Sequence, residues 1–249
     1  MEPIINADLE SEEPKDIDDV LKHLDSILTE TCENEATLGY FAALYRRVTR
    51  RIKVEVELNH FDDAERMIQL DVVFAQRYLD AYENYRKGLP VTRSWQQAFN
   101  LSTTYWPLVL QHLLLGIAAV EVAGSKGMKD LKNDFCKINA ILSSLVDEVQ
   151  NSLILIWPPL KFILEKTGQL DNLATDFSME LARDGAWKFA NELALTTEVQ
   201  YQSALIERDK IIAEKASIIT SPGLWVNGLL KVVRLGEVGS VSDKIKQLS

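Results

Sequence analysis

One stretch constrains this chain more than any other: Pro107 to Gly124, Pro-Leu-Val-Leu-Gln-His-Leu-Leu-Leu-Gly-Ile-Ala-Ala-Val-Glu-Val-Ala-Gly. A surface helix keeps one apolar stripe and one polar face. This run is apolar almost all round, the mark of a helix enclosed by protein. Pro in the first turn and Gly at the end punctuate it as a helix. Only Gln111, His112 and Glu121 interrupt it. With those breaks and 18 residues in all, it falls short of the roughly 20 mostly apolar residues of a membrane span. The expectation is a buried central helix and no membrane span.

The flanking sequence has the matching periodicity. Asp16 predicts an N-cap for a helix to about Thr31, with Ile17, Val20, Leu21, Leu24, Ile27 and Leu28 on one face. Asn34 is expected to cap a second helix with the stripe Leu38, Phe41, Tyr45, Val48, Ile52 and Val56. Asp62 is expected to open a third, from about Asp63 to Lys87. Its inward stripe reads Met67, Leu70, Phe74, Tyr78, Ala81 and Tyr85, and Gly88 and Pro90 stop it. A short helix around Arg93–Leu101 precedes the central run. A long one covers about Met128–Trp157 and ends at Pro158-Pro159. Residues 171–219 read as helical nearly throughout, and short helices close the chain at about 224–235 and 241–248. No stretch alternates long enough to propose a strand. The expectation is an all-α protein, one multi-helix bundle of about nine to ten helices around residues 107–124.

The net charge of −10 becomes informative once it is located. Residues 1–35 carry twelve acids and two bases, and the rest of the chain carries 25 of each. The acidity therefore belongs to an N-terminal arm, residues 1–15, expected to be flexible ahead of a single helical domain over 16–249. A neutral body presents no global positive field, so nucleic-acid binding is not expected. No basic segment followed by an apolar one opens the sequence, so no secretory signal is expected. Cys32 and Cys136 form neither metal-ligand spacing nor a disulfide framework, which predicts a reduced, cytoplasmic setting.

The strong catalytic signatures are missing: no glycine-rich phosphate loop, Gly-x-Ser-x-Gly, His-Glu-x-x-His or Cys-x-x-Cys. No cofactor or metal is expected. Glu57-Leu-Asn-His60 has the Glu-x-x-His spacing of helical di-iron proteins but lacks a second pair, so it reads as a polar helix end. His112, on the buried run, reads first as a satisfied core histidine; a desolvated one could serve as acid, base or ligand. Asp71 and Arg77 sit beside the third helix's apolar stripe next to Tyr78. Charges so near a core need partners. The plain expectation is a structural ion pair, and the functional one a polar pocket for an anionic ligand.

Arg46-Arg47-Val-Thr-Arg50-Arg51-Ile-Lys53 places five cations within eight residues. Arg46/Arg50 and Arg47/Arg51 repel at i,i+4 by roughly 0.2–0.5 kcal/mol each. A basic ridge of this kind is expected to meet acid. The acidic arm is the first candidate, and an acidic or phosphate-bearing partner the second.

Several phrases together resemble a mainly bacterial family of uncharacterised helical proteins, a domain of unknown function. They are Tyr40-Phe-Ala-Ala-Leu-Tyr-Arg-Arg-Val-Thr, Leu70-Asp-Val-Val-Phe-Ala-Gln-Arg-Tyr, Ser94-Trp with Ala98-Phe, Leu110-Gln-His-Leu-Leu-Leu-Gly, and Ser178-Met-Glu-Leu-Ala-Arg-Asp-Gly-Ala-Trp. The resemblance spans about residues 35–249 and implies an all-α protein without assigning an activity. In the family it resembles, a polar segment of the type Asn-Ala-His-Ile-Asn-Leu-Asp-Leu follows Leu-Leu-Leu-Gly. Here Gly116 leads directly into Ile117-Ala118-Ala119. That leaves His112, Asp71, Arg77, Arg183, Asp184 and Trp187 as polar or aromatic site candidates. Two functions follow as expectations: a binding domain for an unknown partner protein or small ligand, or a hydrolase, with or without metal assistance on phosphoesters, around His112 and Asp71 with Arg77 or Arg183 gripping the anion.

Overall fold

In the computed structural model the described residues are 13–103, 132–159, 161, 189, 192, 196–220 and 234–249. They form α1 (Ile17–Glu33), α2 (Gly39–Glu57), α3 (Ala64–Arg86), α4 (Arg93–Asn100) running into a 3-10 turn (Leu101–Thr103), α5 (Lys132–Ile156), α6 (Glu198–Thr220) and α7 (Val241–Leu248). No strand occurs among them, and the fold is all-α. The expected central helix at 107–124 lies outside the described residues, as do the arm's residues 1–12.

Within the described residues, the N-terminal half of α2 occupies the centre. Gly39 to Tyr45 are buried without a break. This needs neighbours on every side, and its sequence Gly-Tyr-Phe-Ala-Ala-Leu-Tyr is apolar all round to match. α1 lies along α2, and α7 packs against α1, α2 and α5. α3 packs on α1 and α2, and α4 packs on α6. At Gly39 the helices close tightly: a Cβ there would meet Ile245 Cδ1 of α7 at 2.6 Å and Thr31 Cβ of α1 at 2.9 Å. The larger core cluster gathers Val20, Leu24, Tyr40, Phe41, Tyr78, Trp95, Phe99, Ile245 and Leu248. A smaller one joins Ile17, Ile52, Phe61, Met67, Ile141 and Leu145 where α1, α2, α3 and α5 meet.

Three helix N-termini are completed by carboxylates from distant segments. Asp134 on α5 accepts from the amides of Asp62 (2.7 Å) and Asp63 (3.2 Å) ahead of α3. Asp209 on α6 accepts from Arg93 N–H (2.9 Å), Ser94 N–H (3.0 Å) and Ser94 Oγ–H (2.6 Å) at α4. Glu35 accepts from Val241 and Ser242 N–H at α7 (2.7 and 3.3 Å). The first amides of a helix have no intrahelical partner and carry its positive end, so an aspartate buried there is stabilised rather than stranded. Glu35, the residue after the C-cap of α1, holds φ at +49°, the left-handed region. Ala36 N–H closes that turn on Thr31 O at 2.8 Å.

Several local expectations shift. Asn34 does not start α2; it ends α1, its side-chain amide donating to Glu30 O at 2.9 Å. The cap of α3 is Asp63, whose side chain accepts from Arg66 N–H at 3.0 Å, rather than Asp62. Asp62 instead takes Lys137 and Asn133 on α5. The buried face of α3 is Met67, Asp71, Ala75, Tyr78, Leu79, Ala81 and Tyr82, while Leu70, Phe74 and Tyr85 are only half-buried. The helix is rotated towards Ala75, whose small side chain admits the large rings of α2. Asp71 is thereby carried inside rather than left at the edge.

Candidate functional site

The rotation of α3 creates the most unusual local chemistry among the described residues. Tyr45 and Thr49 lie one turn apart on α2, with Asp71 and Tyr78 on the opposing face of α3. The rings of Tyr45 and Tyr78 meet edge to face with centroids 5.8 Å apart. Further along, Ile52 of α2 and Met67 of α3 share the smaller core cluster. The Asp71 charge acts on Tyr45, which places the two near one another across the helix pair. Tyr45 Oη, Thr49 Oγ1, Tyr78 Oη and Asp71 Oδ2 are all buried, and none has a hydrogen-bond partner among the described residues. Each such atom costs about 1–3 kcal/mol of unreturned desolvation, and more where it carries charge.

Burial alone pushes the Asp71 carboxyl up from 3.8 to about 7, because the anion loses water and gains no cation. The Tyr45 phenol is held well above its ordinary range, by burial first and then by the Asp71 charge. Tyr78 is raised the same way, by burial first. Aromatic rings wall the seam. Phe41 lies 5.2 Å and Trp95 5.5 Å from the Tyr78 ring, and Phe41 and Trp95 are 5.9 Å apart. Trp95 stacks on Phe99 at 5.3 Å, which ties the cluster to α4 and so to the Asp209 cap.

The structural ion pair expected between helices is not what brings Asp71 inside, since burial is the one cause of its shift and no cation acts on it. Arg77 is half-buried and projects roughly a third of a turn away from Asp71 around the helix. Asp71 and Tyr78 share one face, and Arg77 does not. His112, Arg183, Asp184 and Trp187 lie outside the described residues. His60 pairs with Glu55 through Nδ1 and Oε2 at 2.5 Å beyond the end of α2, while Glu57 reaches Lys53 at 3.8 Å. The Glu-x-x-His spacing is thus a polar helix end, with its two members turned to different partners.

The basic ridge is largely engaged in holding helices together. Arg46 pairs with Asp25 and Lys53 with Asp18, both on α1, the latter at 2.6 Å. Arg51 pairs with Glu55 at 3.2 Å. Arg47 donates to Ser152 Oγ on α5 (3.2 Å) and to Gln247 O near the end of α7 (2.9 Å). Arg50 is exposed. Acid does meet the ridge, and among the described residues it comes from α1 and from α2 itself.

A second buried charged group behaves differently from Asp71. Lys244 of α7 and Arg234 both reach Glu237 Oε2, at 3.1 and 2.9 Å. Beside them a cavity of about 160 Å³ is lined by Leu155, Ile156, Val238 and Gln247. Its one buried cation is already held by Glu237, so it offers little for recognition. Tyr45, Thr49, Asp209, Asp134 and Glu237 were not legible as special residues in the sequence.

These elements define an all-α protein with a buried polar seam, and among the described residues no helix is long and apolar enough to cross a membrane. Residues 17–222 match the family of unknown function DUF5995, and the chain belongs to that family. No curated protein and no solved structure matches the chain.

Proposed function

We propose that this is a binding domain, and that the seam of Tyr45, Thr49, Asp71 and Tyr78 is its ligand contact. The supporting observation is the set of four buried polar atoms from two facing helices without partners among the described residues. A fold retains so costly a group where something else uses it. The free thiols of Cys32 and exposed Cys136 fit a reducing compartment such as the cytoplasm. The test is a thermal-shift screen of small polar compounds on the full chain, repeated on Asp71→Asn. Hits that disappear in the variant support the reading; a blank screen, or hits indifferent to Asp71, would count against it.

One observation favours a second reading. A carboxyl buried to a pKa of about 7 is poised as a general acid or base at neutral pH. Were His112 to join it and Arg77 or Arg183 to grip an anion, the set would support metal-assisted phosphoester hydrolysis. Metal analysis and a phosphoesterase screen, both repeated on His112→Ala, decide this; uniformly blank results retire it.

A further inference from the structure

We infer that the α2–α3 seam recognises a small organic cation, an alkylammonium group, through the Asp71 carboxylate, the Tyr45, Tyr78 and Thr49 oxygens and the surrounding aromatic rings. The inference rests on the binding reading above and names its ligand chemistry.

The donor set decides the sign. Asp71 brings a carboxyl and Tyr45, Tyr78 and Thr49 bring hydroxyl oxygens, all able to accept. Among the described residues no cation faces them. Arg47 is turned to Ser152 and Gln247 O, and Arg46 and Lys53 to α1. Arg77 projects from a different part of α3. An anionic ligand in this seam would be repelled by an ionised Asp71, so the seam itself favours a cation over a phosphate-type ligand. A neutral alcohol has one donor and no charge, so it answers a single acceptor and leaves the carboxylate charge uncompensated. An ammonium supplies a positive charge for Asp71 and three N–H donors, enough for the carboxylate and two of the three hydroxyl oxygens.

The walls fit the same ligand. Phe41, Tyr45, Tyr78 and Trp95 form contiguous ring contacts at 5.2–5.9 Å. The faces of Trp and Tyr attract cations, most strongly where water is excluded. A carboxylate within an aromatic enclosure combines charge, acceptors and polarisable faces for one ammonium head. A metal ion is a poorer match, since Asp71 is the single carboxylate on these two faces and metal-ligating groups of three or more acids, cysteines or histidines are absent among the described residues.

The test uses the full chain and defined probes: n-butylammonium, n-butanol and butyrate, compared by calorimetry and thermal shift at one pH and ionic strength. The expected result is saturable binding of the ammonium alone. Asp71→Asn should weaken it about tenfold or more, the weight of a hydrogen bond to a charged group. Tyr45→Phe, which keeps the ring and removes one acceptor, should weaken it several-fold and serves if Asp71→Asn does not fold. Binding of butanol or butyrate in preference to the ammonium overturns the cation inference while leaving a binding seam intact. Equal ammonium affinity in wild type and both variants overturns it too. Failure of all three probes, together with a blank screen of polar compounds, removes the binding reading itself.

Discussion

Replacing Asp71 by Asn should turn a pH-dependent liability of the fold into a constant. Below about pH 3.8 both folded and unfolded chains hold the Asp71 proton. Between there and about pH 7 only the folded chain holds it, and above that neither does. The folded state therefore binds more protons across this window, and stability falls as pH rises through it, by about 1.4 kcal/mol per unit. The full span is on the order of 4 kcal/mol between acid and neutral pH, equivalent to roughly 10 °C in Tm for a chain of this size. Asn keeps the shape and cannot ionise. The stability difference, variant minus wild type, should climb from near zero or slightly negative at pH 4.5 to about 3–4 kcal/mol at pH 8. Urea unfolding followed by tryptophan fluorescence at half-unit pH steps measures it, with Trp95 as a reporter within the cluster. The exposed carboxylates of Asp19, Asp62, Asp63 and Asp243 are held low by hydrogen bonds, first from Lys22, Lys137, Arg66 N–H and Ser240 N–H respectively. Their contribution runs the other way, is lost as pH falls below 3.8, and cancels in the difference. A flat difference across pH 4.5–8 would refute a buried, unpaired Asp71. A falling one would mean that Asp71 is ionised and paired, as the sequence first suggested.

Two further substitutions test how the frame around the seam is held. Asp209→Ala strips the three hydrogen bonds at the start of α4 and should cost about 1–3 kcal/mol in urea unfolding; an unchanged midpoint would mean that water replaces the cap. Gly39→Ala places a methyl against Ile245 and Thr31. It should destabilise by about 1–3 kcal/mol, against the gain expected where Ala replaces Gly in an open helix; a stabilised variant would show that α1 and α7 do not close on α2 as described.

Helix content was legible because it rests on local physics. The Asp16 cap, the stripe of α1, the short α4, the stop at Pro158-Pro159 and the terminal α7 all follow from spacing and punctuation within a few residues. The capping carboxylates were not legible: Asp134, Asp209 and Glu35 act on amides more than 70 residues away. Nothing near them in sequence marks the partner. The seam was half legible. Asp71 and Tyr78 could be singled out, but Tyr45 looked like an ordinary member of a stripe and Thr49 lay unremarked within the basic run.

The sequence alone determined an all-α chain, because helical periodicity and caps are properties of neighbouring residues. Which face of α3 turned inward was decided only by tertiary packing. Leu70 and Phe74 offered the more apolar face, yet the small Ala75 fits against the rings of α2. One rotation of that helix took a carboxyl out of water. A one-residue choice of face costs little in periodicity but changes every contact a helix makes, so it is settled by the neighbours that fill the space.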